Sequence, residues 1–417
     1  MSRCHVIGAG LAGLSAAIRL AEAGREVRLY EAGPQAGGRC RSYFDEVLGC
    51  RIDNGNHLLM SGNRAAMAYL RTIGAAGTLV GPADARFPFV DLGTAERWTV
   101  SPNAGPLPFW LLAPKRRVPG SRLADYLTGL QIARAGPADT VAALVGGNAA
   151  LYRRFWEPLA VAALNTEPEQ AAAALLRPVL MQTFGRGSAY CRPLVARDGL
   201  SESFVDPALA WLERRGARIF TGTRVRAIGF AGEQATSLDL GGESVALAPG
   251  EAVVVAVPPA IAVTLVPDLA APNQYRAIVN AHFRVGSALP ADQIRILGVI
   301  GGTAQWVFRR NDLASVTVSA ATAIVDDEAE SLAERLWSDV AAALDLPRRP
   351  MPLWRIVKER RATFAQTPAQ LRLRPPAATR WRNLALAGDW VDTGLPATIE
   401  GAIRSGIHAA RCVRDTA

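Results

Sequence analysis

The sequence predicts an α/β protein: a doubly wound, Rossmann-like dinucleotide-binding domain assembled from three chain segments, with an inserted α+β domain. Three observations predict it. Gly8, Gly10 and Gly13 stand between a short apolar strand and a helical run. An acid closes the strand that follows. Short buried-strand patterns then return far downstream, at Ala252 to Val257 and Leu384 to Ala387.

Taken in order, Cys4 to Ile7 reads as a strand, Leu14 to Ala23 as a helix ending at Gly24, and Val27 to Tyr30 as a second strand closed by Glu31. The glycines between them permit a tight turn, close approach of backbone to a pyrophosphate and close helix-on-strand packing, and the helix N-terminus faces the anion. Glu31 sits where a carboxylate accepts hydrogen bonds from ribose hydroxyls. Gly199 to Arg215 reads as a helix, and Ala217 to Ile228 as strands around a turn at Thr221-Gly222. A helix from about Ala397 to Val413 follows the Gly388-Asp389-Trp390 turn. The intervening stretches differ in texture. One has Pro-rich loops and Ala/Leu-rich helices, including Leu151 to Leu164. The other has strand-like runs at Ile278 to Val285, Gln305 to Phe308 and Ser315 to Ala320, a helix from Glu328 to Leu344 and a basic strand from Leu353 to Arg361. The expected division is therefore 1–75, 191–274 and 366–417 for the dinucleotide-binding domain, and 76–190 with 275–365 for a substrate domain lying over the cofactor.

At 417 residues, half of them hydrophobic, the chain can bury a large core. Its charge of +9 raises nucleic acid or an anionic membrane as partners. The positive residues are nearly all arginines spread along the chain, with lysine only at Lys115 and Lys358, so nucleic acid is disfavoured. Five scattered cysteines with no CxxC suit a reducing cytoplasm, and neither a secretion signal nor a membrane-spanning run is expected. Four histidines without clustered ligands predict no metal site. Pro106 to Pro114, apolar and bearing Trp110, runs into Lys115-Arg116-Arg117. That pattern suits either peripheral contact with a membrane surface or a buried loop.

Gly37-Gly38-Arg39-Cys40-Arg41-Ser42 adds a glycine turn with two guanidiniums beside the fingerprint. Near the C-terminus stands Gly388-Asp389-Trp390-Val391-Asp392-Thr393-Gly394-Leu395-Pro396-Ala397-Thr398-Ile399-Glu400-Gly401-Ala402. Both stretches resemble flavin-binding signatures of the flavin amine oxidase and phytoene desaturase superfamily, many of whose members carry Glu where this chain has Asp389. With Arg51 to His57, Ala163 to Thr166, Ala304 to Phe308 and Arg361 to Phe364, the whole chain is similar to the hydroxysqualene dehydroxylases of bacterial squalene and hopanoid synthesis.

That resemblance implies an amine oxidase-like fold and FAD, held by Gly8, Gly10, Ala12, Gly13, Glu31, Gly38, Arg39, Arg41, Val225, Gly388, Asp389 and Thr398. It implies reductive removal of an allylic hydroxyl from hydroxysqualene, a long isoprenoid, giving squalene and water. The electrons would come from an external reductant such as NAD(P)H or a redox protein, because a second dinucleotide fingerprint is absent. The departing oxygen needs a proton. His57 is the first candidate acid, with Asp53 keeping its imidazole charged or replacing it, and Asn165 orienting the hydroxyl. Asp392 and Thr393 are further candidates. Two alternatives stay open at this point: a carotenoid-type desaturase, and a flavin-fold lipid carrier without redox turnover.

Overall fold

The computed structural model describes residues 2–290 and 293–414. A five-stranded parallel sheet runs in the order Arg218–Phe220, Glu26–Tyr30, Arg3–Ile7, Ala252–Val255, Leu384–Leu386. Its central strands are covered on both faces, which is why they read as unbroken apolar runs. Ala252 and Val254 join Cys4 and Val6 against the helix Leu11–Glu22, while Val253 and Val255 face Ile228, Leu238 and Trp390. Each such aliphatic side chain, fully withdrawn from water, stabilises the fold by roughly 1.5–3 kcal/mol.

The fingerprint helix begins at Leu11, earlier than the apolar period alone placed it, because Gly10 caps it in extended conformation and residues 11 to 13 already turn. The closing helix, Ile399–Arg414, lies along it. The two approach so closely that a Cβ at Gly406 would collide with the Ala12 carbonyl oxygen.

A second, seven-stranded sheet runs Trp354–Phe364, Tyr275–Arg284, Leu313–Val318, Trp306–Arg310, Ile294–Ile300, Phe87–Asp91, Arg97–Val100. Its pairs are antiparallel except Ile294–Ile300 with Phe87–Asp91. Alternation along the strands gives this sheet two unlike faces. Val279, Ala281, Phe283, Val316 and Val318 pack against the helix Ala329–Leu344. The opposite face carries Asn280, His282, Ser315 and Thr317, all buried and polar. Short helices between residues 109 and 182 cap the end of the sheet around Phe89, Trp98 and Trp156.

Two of the expected helices are present but carry a π-helical turn within them. Tyr152–Trp156 and Ser201–Val205 are π-helical turns that feed Glu157–Leu164 and Asp206–Glu213. Each runs into a proline, Pro158 or Pro207, whose missing N–H removes an α-helical donor and whose ring widens the preceding turn.

Candidate active site

The fingerprint glycines have separable roles. Gly8 has φ +101°, donates its N–H to the Tyr30 carbonyl at 2.7 Å, and would place a Cβ 2.5 Å from the Ala256 carbonyl oxygen. A Cβ at Gly13 would collide with the Gly8 carbonyl oxygen, whereas one at Gly10 meets nothing within 4 Å. Packing therefore dictates Gly8 and Gly13, while Gly10 borders open space at a helix N-terminus, the cradle that a pyrophosphate fills. Glu31 accepts the Ala9 N–H at 2.9 Å and the Gly33 N–H at 2.8 Å, one on each oxygen. Both oxygens keep a lone pair for ribose hydroxyls. Beside it, the Thr223 N–H bonds the Glu31 carbonyl at 2.8 Å, which leads the chain to the buried Val225.

The second glycine turn is bound to the first. The Gly37 N–H donates to the Ala9 carbonyl at 2.8 Å, and a Cβ at Gly38 would stand 3.5 Å from the Gly10 Cα. Arg41 folds back onto the Gly38 carbonyl at 2.6 Å. Arg39 pairs with Asp389 at 2.7 Å and reaches the Ala362 carbonyl. Burial acts to lower the Arg39 pKa, but the Asp389 carboxylate, helped by Glu359 and Tyr275, leaves it raised. The two signatures thus hold each other: Arg39 and Asp389 fix the walls of the site through one ion pair.

The closing turn depends on a residue that motif reading missed. Arg374 is buried and donates to four carbonyls of that turn, at Asp389 (3.3 Å), Trp390 (3.3 Å), Val391 (2.6 Å) and Leu395 (2.9 Å). Burial lowers its pKa. Its only sequence signal was an arginine before two prolines. Thr398 Oγ accepts the Gly401 N–H at 3.1 Å and caps the closing helix, and the Gly388 N–H bonds Ser405 Oγ at 2.8 Å. Glu400, also missed, accepts the Ala65 and Ala66 N–H groups at 3.0 and 2.9 Å, capping the helix Arg64–Thr72 from a neighbouring element. Asp392 and Thr393 form turns through the Gly394 and Leu395 N–H groups.

The candidate proton donor is placed differently from expectation. His57 stands against the Arg39 backbone, and its imidazole pKa is lowered, first by burial and then by the Arg39 cation, with Asp53 acting the other way. Asp53 therefore does not keep His57 charged. Its carboxylate is engaged by Ser42 Oγ (2.7 Å), the Leu200 N–H (2.9 Å) and Arg310 (3.2 Å), tying three segments together. Asn165 is likewise engaged. It ends the helix Glu157–Leu164 in left-handed conformation, accepts the Ala320 N–H at 2.7 Å and donates to Thr363 Oγ at 3.0 Å. A second amide donation, to the Arg276 carbonyl at 3.4 Å, completes a latch between the helical cap and the sheet and occupies both Asn165 donors.

A cavity opens beside His57, lined by Asp53, Asn56, Arg310 and Ser315 on its polar side and by Leu200 and Phe308 among its apolar walls. It lies between the segment that follows the second signature and the polar face of the seven-stranded sheet. Among the described residues, no group of three or more His, Cys, Asp or Glu side chains could hold a metal ion.

The open cradle at Gly10, the acid at Glu31 and the capped closing helix fit FAD, and comparison with known proteins agrees. Residues 11–414 match the model of the flavin-containing amine oxidoreductases. The chain is 49% identical over 410 residues to a protein of Rhodopseudomonas palustris named hydroxysqualene dehydroxylase, covering 98% of this chain and 97% of the relative. It is 48% identical over 406 residues to one of the same name from Sinorhizobium fredii, covering 97% of each. Among solved structures, the cyclohexylamine oxidase of Brevibacterium oxydans superposes with a TM-score of 0.71 over 99% of both chains at 16% identity, which speaks to the fold. The chain belongs to the flavin-containing amine oxidoreductase family.

Proposed function

We propose that this chain is an FAD-dependent enzyme that removes the allylic hydroxyl of hydroxysqualene reductively, giving squalene and water. The observation that carries this reading is near-half identity, end to end, with two relatives that bear the name of that activity. The cavity's polar side suits the reacting end of such a substrate, because it sets a few polar groups among apolar walls where a single oxygen would be received. FAD, when bound, supplies the hydride exchange. The C–O bond breaks with its electron pair on oxygen, which takes up a proton, and a C–H bond forms at the same carbon. The chain's own part is to hold the cofactor through the two glycine turns, Glu31 and the closing helix, and to exclude water from the carbinol. It also presents His57 and the polar cavity wall to the leaving oxygen. NAD(P)H or a redox protein is the external source of electrons.

We assign residues 1–75, 191–274 and 366–417 to cofactor binding and 76–190 with 275–365 to substrate binding. This division is supported by the strands of the parallel sheet falling in the first set and those of the seven-stranded sheet in the second. We further assign an anionic membrane surface as the place where the isoprenoid is collected. Leu107, Phe109, Leu112, Leu127 and Leu130 are each 60–63% exposed on the cap, beside the exposed Lys115, Arg116 and Arg122. Trp110, within the stretch read as suiting either membrane contact or a buried loop, turns inward against Tyr126 at 5.9 Å. No helix among the described residues is long and apolar enough to cross a membrane, so contact would be peripheral.

The test is anaerobic incubation with hydroxysqualene and chemically reduced FAD, followed by product analysis. Squalene is the expected product. Unchanged hydroxysqualene, together with desaturation of phytoene by the oxidised enzyme, would reject the reading in favour of a desaturase. Colourless protein that fails to retain added FAD would favour a lipid carrier.

A further inference from the structure

A second groove lies where the helix Ala329–Leu344 ends over the seven-stranded sheet, beside the strands Phe87–Asp91 and Ile294–Ile300. Its volume, about 340 Å³, is within the range of small-molecule sites. It shares only Ile294 with the cavity beside His57. Pro88, Leu297 and Leu344 are among its apolar walls, and Arg86, Arg97 and Arg295 line it too.

The charges of this groove are unbalanced. Arg97 donates to Asp345 at 3.1 Å and to the Ala343 carbonyl at 3.0 Å, so its charge is met. Asp345 is the one acid among the described residues that line the groove. Arg86 and Arg295, both exposed, have no hydrogen-bond or ion-pair partner among the described residues.

Strand register brings the unpaired cations together. Gly298 pairs with Phe89 in parallel, and the same register, run back along both strands, sets Arg295 level with Arg86. On its other side Arg295 pairs directly with Arg309. Arg309 is buried, with Nη2 bonded to Ser287 Oγ at 2.9 Å and Nη1 left without a partner. Its pKa is lowered, first by burial and then by the Arg295 cation, with Asp312 acting the other way. Three arginines thus cross adjacent strands in a row, and like charges directly opposite one another destabilise a sheet. An anion seated beside them removes that repulsion. Two unpaired guanidiniums match a dianion, and the arginine fork matches phosphate oxygens.

We propose that this groove binds a phosphate monoester with an apolar body, its phosphate held between Arg86 and Arg295 and its body against Pro88, Leu297 and Leu344. The site is separate from the FAD cradle and from the cavity beside His57, and it does not depend on the dehydroxylase reading. A soluble organic phosphate and the headgroup of phosphatidic acid in a bilayer both offer this chemistry.

The test is isothermal titration calorimetry of the FAD-loaded protein with hexyl phosphate, inorganic phosphate and hexanol. Hexyl phosphate should bind one to one, at least about tenfold more tightly than inorganic phosphate because part of its chain leaves water, and hexanol should not bind. Arg86→Gln and Arg295→Gln should each weaken hexyl phosphate by about tenfold or more, with Arg295→Lys losing less. Thermal unfolding adds a readout that a purely structural arginine would not give. Without ligand, Arg295→Gln should raise the melting temperature by relieving the row, and it should abolish the rise that hexyl phosphate produces in wild type. A preference for phosphatidic acid over phosphatidylglycerol vesicles at matched surface charge, lost when both arginines are replaced, assigns the lipid headgroup as the source. Binding of hexyl phosphate without that preference assigns a soluble organic phosphate, and either result upholds the site. No binding of hexyl phosphate, equal affinity for inorganic phosphate, binding unchanged in Arg86→Gln and Arg295→Gln, or a lowered melting temperature in ligand-free Arg295→Gln would each overturn the proposal.

Discussion

Burial and the Arg39 guanidinium both disfavour a proton on His57, and Asp53 does not compensate. The charged imidazole thus accumulates only as pH falls below the ordinary value of 6.5. If His57 supplies the proton, kcat/KM for dehydroxylation should climb as pH drops through and below that value and be lowest under alkaline conditions. His57→Gln should remove that slope while keeping the flavin spectrum. A pH profile of the two proteins checks this, and an unchanged slope in the variant would assign the proton to another group. The same depressed titration acts on stability with the opposite benefit. The unfolded chain binds a proton that the folded site refuses, so the contribution of neutral His57 is present above 6.5 and lost as pH falls. Activity and stability should therefore diverge on the acid side.

At the level of elements, the fingerprint turn separates folding from cofactor binding. Gly13→Ala drives a methyl group into the Gly8 carbonyl, so it should disrupt the turn itself and lower stability measured by urea unfolding of the apoprotein. Gly10→Ala meets nothing and should leave the apoprotein as stable as wild type, yet lose retained FAD, because its methyl group fills the cradle. Titration with FAD followed by fluorescence checks both. The closing turn gives a second case: Arg374→Met should cost roughly 2–4 kcal/mol in urea unfolding, since four buried carbonyls lose a charged donor together. These elements also show what the sequence could convey. The strands of the parallel sheet were legible because burial on both faces leaves unbroken apolar runs such as Val253 to Val255, and the fingerprint helix because glycine spacing and period coincide. The π-helical turns were not legible, since a proline marks a break without specifying how the chain widens before it. Arg374 and Glu400 were not either, because each acts on backbone groups far away in sequence. The polar face of the seven-stranded sheet left only a faint trace: Asn280, His282, Ser315 and Thr317 alternate with valine, alanine and phenylalanine in strands that otherwise read as buried.

On the scale of the whole molecule, the order of the seven-stranded sheet lay beyond sequence reading, because its pairings join residues near 90 to residues near 300 and depend on long-range packing. That order places the helical cap, and with it the exposed apolar side chains of Leu107, Phe109, Leu112, Leu127 and Leu130, at the end of the seven-stranded sheet. Trp110 packs against Tyr126, which brings the segment of Leu107, Phe109 and Leu112 beside that of Leu127 and Leu130. Hydrophobic insertion and attraction of Lys115, Arg116 and Arg122 to anionic headgroups should act together, the latter adding about 1 kcal/mol per charge close to the surface. The protein should therefore sediment with vesicles containing phosphatidylglycerol, bind less at high salt, and bind weakly to neutral phosphatidylcholine. Phe109→Ser with Leu127→Ser should abolish sedimentation yet leave FAD retention and turnover of detergent-dispersed hydroxysqualene near wild type, because neither side chain lines the cavity. Turnover of substrate presented in vesicles should fall with binding. Vesicle binding unchanged in the double variant would place the contact on another face, and binding that ignores both salt and lipid charge would remove the basic cluster from the account.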